Sequence, residues 1–406
     1  MTGHPTNPGD PIDTSTVAVA LAALTLAVWL GIALVSVFAA IRIPQLQEVS
    51  PPHSDDPPLP HLSIIVAAKN EERSVEGALR SLLALHYHDL EVIFVNDRSD
   101  DRTGDIAERL SAEDDRLTVL HMKNLPPGWF GKCHAVQRGA DAATGQVLLF
   151  TDGDVSFAPD AASHGVRHLL RERLDHLSAS PRLAVTGTML QSCLITFQLF
   201  LGAKQRLWKV RDPGSKAFFG VGSCTFMRAD SYKALGGHAR VALRPDEDLR
   251  LGQLVKMSGM RSAFLEGEEM IACPWYHSLG GLVRGVEKNL FAALDYSLLK
   301  MVSASAGLIW LTVVPVVLAP LLLATHEVPA GLLFAASPLV YWLVATTVTR
   351  DRSYAWWSAL PLPLAGLLTA YMIWRSAILT MGRGVAWGGP AVPLAKLKSA
   401  RVRVAK

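Results

Sequence analysis

An uncharged, mostly apolar run from Thr16 to Ile41 constrains this chain more than any other feature. Its 26 residues exceed the roughly 20 that cross a bilayer as a helix. No Lys or Arg precedes Arg42, so the basic start of a secretory signal peptide is missing. The run predicts an uncleaved transmembrane anchor at 16–41 behind an extracytoplasmic leader at 1–15. Because Arg42 follows the run, the residues after it are expected in the cytoplasm.

Apolar runs return near the C-terminus, after a long stretch of ordinary mixed composition. They cover residues 304–325, 329–348 and 355–379. The third run contains two prolines and Arg375, so it can cross the membrane, re-enter it or lie along its surface. Three crossings would place the tail outside, whereas its basic residues favour the cytoplasm. We predict a cytoplasmic tail.

These runs divide the chain into predicted segments. They are a Pro-rich linker at 42–60, a cytoplasmic domain at 61–302, a membrane cluster of two or three spans at 303–380 and a basic tail at 381–406.

Charge narrows the classes of function. Only 18% of the residues are charged, against about 25% in a typical soluble domain. The net charge of +3 argues against a nucleic-acid binder, and nothing in the sequence indicates a protein partner. The composition predicts an integral membrane protein.

Strand-like and helical patterns alternate at the start of the cytoplasmic domain, which predicts an α/β fold with a mostly parallel, Rossmann-like sheet. The predicted strands are Leu62–Ala68, Leu90–Asn96, Leu117–Met122 and Val147–Thr151, and the predicted helices are 73–85, 103–111 and 132–143.

Polar residues follow three of these strands, where ligands bind in parallel sheets. Neither the glycine pattern of a dinucleotide site nor that of a P-loop occurs there. Two carboxylates spaced as in Asp152-Gly153-Asp154 can hold a hard divalent cation such as Mg²⁺ or Mn²⁺, which would neutralise phosphate oxygens. A solvated turn is the alternative.

Five stretches, taken in order, resemble the motifs of family 2 glycosyltransferases. They are Ile64 to Glu72 (IIVAAKNEE), Val95 to Thr103 (VNDRSDDRT), Gly131-Lys132, Thr151 to Asp154 (TDGD) and Pro245 to Leu249 (PDEDL). This resemblance implies a GT-A fold and a nucleotide-activated sugar donor, usually a UDP-sugar. The membrane arrangement is similar to the branch that glycosylates lipids, including bacterial ceramide, hopanoid and carotenoid glycosyltransferases. This resemblance implies an integral protein of a bacterial cytoplasmic membrane. Arg98 departs from the pattern, which commonly has glycine there.

The resemblance also implies roles for individual residues. Asn70 and Glu71 would lie near the nucleoside, Asp97 on the uracil, Lys132 near the diphosphate, Asp154 on the metal and Asp152 near the ribose or metal. Three of the charged residues in these motifs have structural alternatives. Lys132 can be a solvated lysine at the start of a helix, and Asp97 and Asp101 can serve only the turn and the helix cap, because a Ser-Asp-Asp-Arg-Thr sequence caps a following helix.

Asp248 is the candidate catalytic base. An acceptor hydroxyl needs a carboxylate within hydrogen-bond reach to take its proton during attack on the anomeric carbon. Leucines at helical spacing follow Asp248, so the carboxylate is expected at the start of a helix. In the alternative interpretation, Asp246, Glu247 and Asp248 only stabilise that helix end. With a single base opposite the leaving group, transfer would invert the anomeric centre.

Two further segments bear on the acceptor. Residues 192–211 combine apolar residues with basic ones and predict either a helix in the membrane interface or one packed on the core. Arg284 and Lys288, in a Gly-x-x-Lys-Asn pattern similar to carotenoid-type enzymes, are expected on one helix face, where they would support the site or meet a diphosphate or lipid head group. His277 is interpreted as structural.

These features predict a metal-dependent, inverting glycosyltransferase that adds one sugar to a lipid. A processive polysaccharide synthase is an alternative, but its Q-x-x-R-W motif does not occur and the predicted spans are few. An inactive membrane scaffold of the same fold is another, although Asp154 and Asp248 are both present.

Overall fold

The computed structural model describes residues 14–51, 57–351 and 354–400. The predicted leader at 1–15, the linker and the basic tail lie partly outside these residues. The strands are β1 Leu62–Ala68, β2 Leu90–Asn96, β3 Leu117–His121, β4 Val147–Asp152, β5 Ser156–Phe157, β6 His176–Ser180, β7 Arg182–Ala184, β8 Thr225–Arg228, β9 Ser262–Glu266 and β10 Ile271–Pro274.

The helices are α1 Thr14–Arg42, α2 Val75–Leu83, α3 Thr103–Ser111, α4 Gly131–Ala142, α5 Ala161–Arg171, α6 Thr188–Gln205, α7 Ala229–Leu235, α8 Glu247–Met257, α9 Leu279–Val286, α10 Leu290–Ala293, α11 Leu298–Thr312, α12 Val314–Ala324, α13 Val328–Asp351, α14 Leu362–Arg383 and α15 Leu394–Ser399. The chain divides into two units, which are described separately.

The larger unit, residues 39–190, 204–301 and 372–406, contains a seven-stranded sheet in the order β3-β2-β1-β4-β8-β6-β9. The pairs of β1 with β2 and β4, of β2 with β3 and of β6 with β9 are parallel, whereas β8 runs antiparallel to both its neighbours. The predicted α/β fold with a mostly parallel sheet is therefore confirmed.

The register of this sheet brings the ends of three strands together. Ala68 pairs with Asn96 across β1 and β2, and Ala67 pairs with Asp152 across β1 and β4. Because these strands are parallel, the segments that follow them leave the same edge of the sheet.

Strand β1 is buried on both faces, as expected for a parallel strand covered by helices. Ile64 and Val66 pack in one apolar cluster with Val75 and Leu79 of α2. Ile65, on the opposite face, packs in a second cluster that contains Ala135 and Val136 of α4. The alternation of side chains along a strand thus produces two cores, one on each face.

The smaller unit, residues 1–38, 191–203 and 302–371, carries most of the candidate membrane helices. Thr14–Arg42, Val328–Thr346 and Leu362–Arg383 are long and apolar enough to cross a membrane. Helices α11 and α12 form a further candidate if the pair, bent by 44°, is one span. Within this unit the Trp29 indole donates to the carbonyl of Leu311, and Trp310 donates to Thr25.

The structure shows the conformation of two segments for which the sequence left alternatives open. Residues 188–205 form one helix in which Cys193, Leu194 and Ile195 are buried. Most of this helix, residues 191–203, belongs to the smaller unit, where Phe200 contacts Trp29 of α1, so it does not pack on the core of the cytoplasmic domain as one alternative predicted. The run at 355–379 contributes a short 3-10 helix and then the continuous helix α14. Arg375 within α14 pairs with Glu287 at 3.1 Å, so its charge is balanced.

Candidate active site

Lys132 lies at the centre of a cluster of acidic side chains in the larger unit. It occupies the first turn of α4, and its Nζ lies 2.6 Å from Asp152 Oδ1 and 3.1 Å from Glu247 Oε1. Asp152 ends β4, and Glu247 begins α8. Two sequence motifs more than 90 residues apart therefore meet at one ammonium group, which is paired rather than solvated.

Asp248 lies next to this cluster and accepts two backbone hydrogen bonds. Its Oδ2 accepts from the N–H of Gly222 at 2.8 Å, and its Oδ1 accepts from the N–H of Leu249 at 2.7 Å. The side chain of Asp246, which precedes α8, pairs with Arg244 and Arg250 and does not cap the helix. In the alternative interpretation, all three acids only stabilise the end of α8. Asp246 does not do so by capping, because its side chain makes no hydrogen bond to the first turn of the helix.

Burial and crowding change the acidities in the cluster. Burial raises the pKa of Glu247 to about 7, although the ammonium of Lys132 lowers it. Burial also raises the pKa of Asp248, against the effects of Lys132 and the two backbone N–H groups. Burial alone would lower the pKa of Lys132, but Asp152, Glu247 and Asp248 raise it well above its usual value. Lys132 therefore remains charged.

Gly222 has a place in this cluster that the sequence did not indicate. A Cβ atom at this position would lie 3.0 Å from Lys132 Nζ and 3.4 Å from both Asp152 Oδ2 and Asp248 Oδ2. Any side chain would enter the space between these three groups. The pattern Gly220-Val221-Gly222 was the available signal, but its role depends on contacts between distant segments.

Asp154 lies in a separate acidic environment. Burial, Asp152 and Glu71 together raise its pKa to about 7. In the part of the chain that the structure describes, no Lys or Arg forms an ion pair with Asp154, and no three His, Cys, Asp or Glu side chains are arranged as metal ligands. Carboxylates that repel one another fit a divalent cation, so Asp154 and Asp152 remain the predicted holders of a metal.

A cavity of about 810 Å³ lies beside Asp154. Asn70, Glu71 and Asp154 line it, together with Trp275 and His277, whereas Asp97, Lys132 and Asp248 do not. His277, interpreted as structural from the sequence, therefore faces a cavity. The full lining is Asn70, Glu71, Glu72, Arg73, Ser74, Asp101, Asp154, Ser156, Pro274, Trp275 and His277.

The loops after β1 and β2 hold each other in place. The N–H of Asn70 donates to Ser99, and Asn70 Oδ1 accepts from the N–H of Asp100 at 2.8 Å. Asp101 accepts from the N–H of Thr103 at the start of α3, as the capping alternative predicts, and also from the N–H of Glu72.

Arg98 takes the conformation that glycine would supply. Its φ is +55°, in the left-handed region. Its guanidinium donates to Asp97 Oδ1 from Nε at 2.8 Å and from Nη2 at 2.5 Å. The turn is therefore formed without glycine, at a backbone strain of about 1 to 2 kcal/mol, and the partly buried guanidinium of Arg98 pairs with Asp97.

The expectation for Arg284 and Lys288 is wrong in one respect. Helix α9 ends at Val286, so Arg284 lies in the helix and Lys288 in the turn after it. They do not share a helix face. Lys288 approaches the site, whereas Arg284 is exposed. The Nζ of Lys288 lies 4.7 Å from the ring centroid of Trp387, and the Nζ of Lys132 lies 6.0 Å from the same centroid.

The chain is similar in sequence to known glycosyltransferases. Residues 63–236 match Glycosyl transferase family 2. The chain is 29% identical over 201 residues to the beta-monoglucosyldiacylglycerol synthase of Trichormus variabilis, covering 47% of this chain and 40% of that protein. It is 23% identical over 231 residues to the 4,4'-diaponeurosporenoate glycosyltransferase of Staphylococcus haemolyticus, covering 56% of this chain and 60% of that protein.

A solved mannosyltransferase from Pyrobaculum calidifontis, in complex with GDP-Man and Mn²⁺, superposes with a TM-score of 0.49 at 18% identity, covering 90% of this chain and 99% of that one. The chain spans less than two thirds of the length of either curated relative. The family match contains β1 to β4 and ends before Asp248. Residues 63–236 of this chain are thus similar to glycosyl transferase family 2.

Proposed function

We propose that this protein is a membrane-bound, inverting glycosyltransferase that moves one sugar from a nucleotide diphosphate sugar, a UDP-sugar, to a hydroxyl of a lipid. The observation that supports this most is the convergence of Asp248, Lys132 and Asp152 next to the carboxyl edge of the parallel strands. The names of the two curated relatives describe the synthesis of a monoglucosyldiacylglycerol and transfer to 4,4'-diaponeurosporenoate.

Asp248 takes the acceptor proton in this proposal. The N–H groups of Gly222 and Leu249 hold its carboxylate in one orientation. Lys132 places a positive charge beside it, which favours the ionised form required of a base. Attack from the side of Asp248 inverts the anomeric centre.

The other carboxylates serve the donor. Asn70, Glu71 and Asp97 bind the nucleoside, and Lys132 lies beside the diphosphate. Asp154, with Asp152, holds a Mg²⁺ or Mn²⁺ ion. Such an ion, when bound, neutralises phosphate oxygens and stabilises the leaving diphosphate.

The tail contacts support a cytoplasmic C-terminus. The N–H of Gly131 donates to the carbonyl of Trp387 at 3.1 Å, and Leu397 is buried in the same cluster as Phe130. Residues 385–397 then lie on the same side of the membrane as the catalytic domain. Under this proposal an even number of the three C-terminal apolar runs crosses the membrane, so at least one run does not cross.

Lipid analysis tests the proposal. Membranes that contain the protein are incubated with each nucleotide sugar, and the lipid extract is examined by mass spectrometry. We expect one added sugar on a hydrophobic alcohol, and none with Asp248→Asn. Ladders of repeating sugars would instead indicate a polysaccharide synthase, and transfer only to water-soluble acceptors would reject the lipid acceptor.

A further inference from the structure

Residues 384–392, here called the return loop, form a closed turn after α14. Val385 and Val392 exchange two backbone hydrogen bonds, of 3.0 and 2.8 Å. Gly384 and Gly388 have φ values of +77° and +63°, which other residues rarely adopt. Helix α15 follows, and its Leu397 is fully buried. The return loop is therefore a defined structure fixed at both ends.

The return loop contacts the elements that carry two predicted donor-binding residues. The carbonyl of Trp387 accepts from the N–H of Gly131, directly before Lys132. The carbonyl of Gly388 accepts from Arg98 Nη2 at 2.5 Å, and the same guanidinium binds Asp97. A Cβ atom at Gly388 would lie 3.1 Å from Asp97 Oδ2. Segments nearly 300 residues apart thus meet beside the predicted uracil contact.

The indole of Trp387 also faces two ammonium groups. Lys288 Nζ lies 4.7 Å from the ring centroid and Lys132 Nζ lies 6.0 Å from it, both within the range of a cation–π contact. Lys132 is neutralised by two carboxylates. Among the residues that the structure describes, no carboxylate lies within ion-pairing distance of Lys288. Burial and the charge of Lys132 lower the pKa of Lys288.

A half-buried ammonium with an aromatic contact and no acid partner is suited to an anionic ligand. A lysine ammonium binds phosphate as a compact charge, and a nucleotide sugar brings its diphosphate to this side of the cluster in the proposed function. We propose that the return loop forms a wall of the nucleotide-sugar site, and that Trp387 is a positioning residue that holds Lys288 against the donor diphosphate. This inference rests on the proposed function and extends it to residues outside the five motifs.

The test separates the diphosphate from the nucleoside. The full-length protein in detergent with Mg²⁺ is titrated with UDP and with uridine by calorimetry. Trp387→Ala and Lys288→Gln should each weaken UDP binding by about 10-fold, the size of one partly desolvated cation–π or charge contact, and leave uridine binding unchanged. In transfer assays, the KM for the donor should rise by a similar factor with little change in kcat.

Three variants make the test specific. Because Trp387 acts through Lys288, the double variant should bind UDP no more weakly than Lys288→Gln alone. Trp387→Phe keeps an aromatic face and should retain most of the affinity. Trp374→Ala, which removes an exposed tryptophan of α14, is the matched control and should bind like the wild type.

Three results would contradict this inference, and they lead to different conclusions about the proposed function. Equal UDP affinity in the wild type and Trp387→Ala would overturn the role of the return loop and leave the proposed function standing. A parallel loss of UDP and uridine binding would also overturn it, because it indicates general disruption. A folded wild type that binds no UDP would reject the proposed donor and this inference with it.

Discussion

Asp248→Asn is the most direct test of the proposed chemistry, because the structure predicts a small effect on stability and a large one on turnover. Each oxygen of Asp248 accepts one backbone N–H, from Gly222 and Leu249. Asparagine keeps only one oxygen, so one N–H loses its acceptor at a cost of about 1 to 3 kcal/mol. Removing a buried charge offsets part of that cost, since burial raises the pKa of Asp248.

The catalytic effect should be far larger than this structural one. Loss of a general base typically reduces turnover by about 10² to 10⁴, equivalent to about 3 to 5 kcal/mol in the barrier. Because the pKa of the Asp248 carboxyl is raised and only its ionised form accepts a proton, kcat/KM of the wild type should rise with pH through that pKa. The residual activity of the variant should not.

The assay measures thermal unfolding, UDP affinity and turnover on one preparation. Asp230→Asn is the matched control, because Asp230 is an exposed acid in the first turn of α7 and lies outside the cluster. We expect it to behave as the wild type in all three measurements. Normal turnover in Asp248→Asn would refute the assignment of the base, and a UDP affinity that falls with turnover would indicate a binding role instead.

Three further predictions follow from the same geometry. Asp154→Asn should abolish transfer that depends on Mg²⁺ or Mn²⁺ without lowering the melting temperature, and full wild-type activity in excess chelator would contradict this. Gly165→Ala would place a methyl group against the buried ring of Phe226, at a cost of about 1 to 3 kcal/mol. Gly77→Ala meets open space and should gain up to about 1 kcal/mol, so melting temperatures should move in opposite directions. The folded pKa of Glu247, about 7, exceeds the ordinary 4.5, so its contribution to stability should decline as pH rises between those values. Glu247→Gln should make melting temperature depend less on pH in that range, and an unchanged slope would contradict the assignment.

The first half of the sheet was predictable because its strands are short, aliphatic and separated by helices. The bounds of β1, β2 and α3 agree with the prediction. Strands β5 to β10 were not predicted, since each has only two to five residues and some carry polar side chains. In β6, for example, the buried His176 and Ser178 bond to Ser262 and Thr225 on other strands. Because these hydrogen-bond partners are distant in the sequence, they leave no local sequence pattern from which the strand could be predicted.

The residues of the candidate site likewise divide into those that the local sequence predicted and those that it did not. Motif residues such as Lys132 and Asp152 were found from local sequence, and the structure brings them together. Gly222 and Trp387 were missed because their roles depend on which distant segments approach them. The shared helix for Arg284 and Lys288 was wrong because a turn at 287–289 follows the glycine-containing α9.

Strand β8 lies between β4 and β6, which fixes when the sheet can be completed during synthesis. Strands β1 to β4 come from one contiguous segment and can pair as soon as it emerges from the ribosome. The outer side of β4 then waits for β8, roughly 70 residues later, or about 4 to 14 s at ordinary rates of translation. During that interval the outer edge of β4 is unpaired, and an unpaired strand edge favours aggregation. Lower growth temperatures and chaperones that cover strand edges should therefore improve the yield of folded protein. We expect this improvement to exceed that from substitutions in the membrane helices.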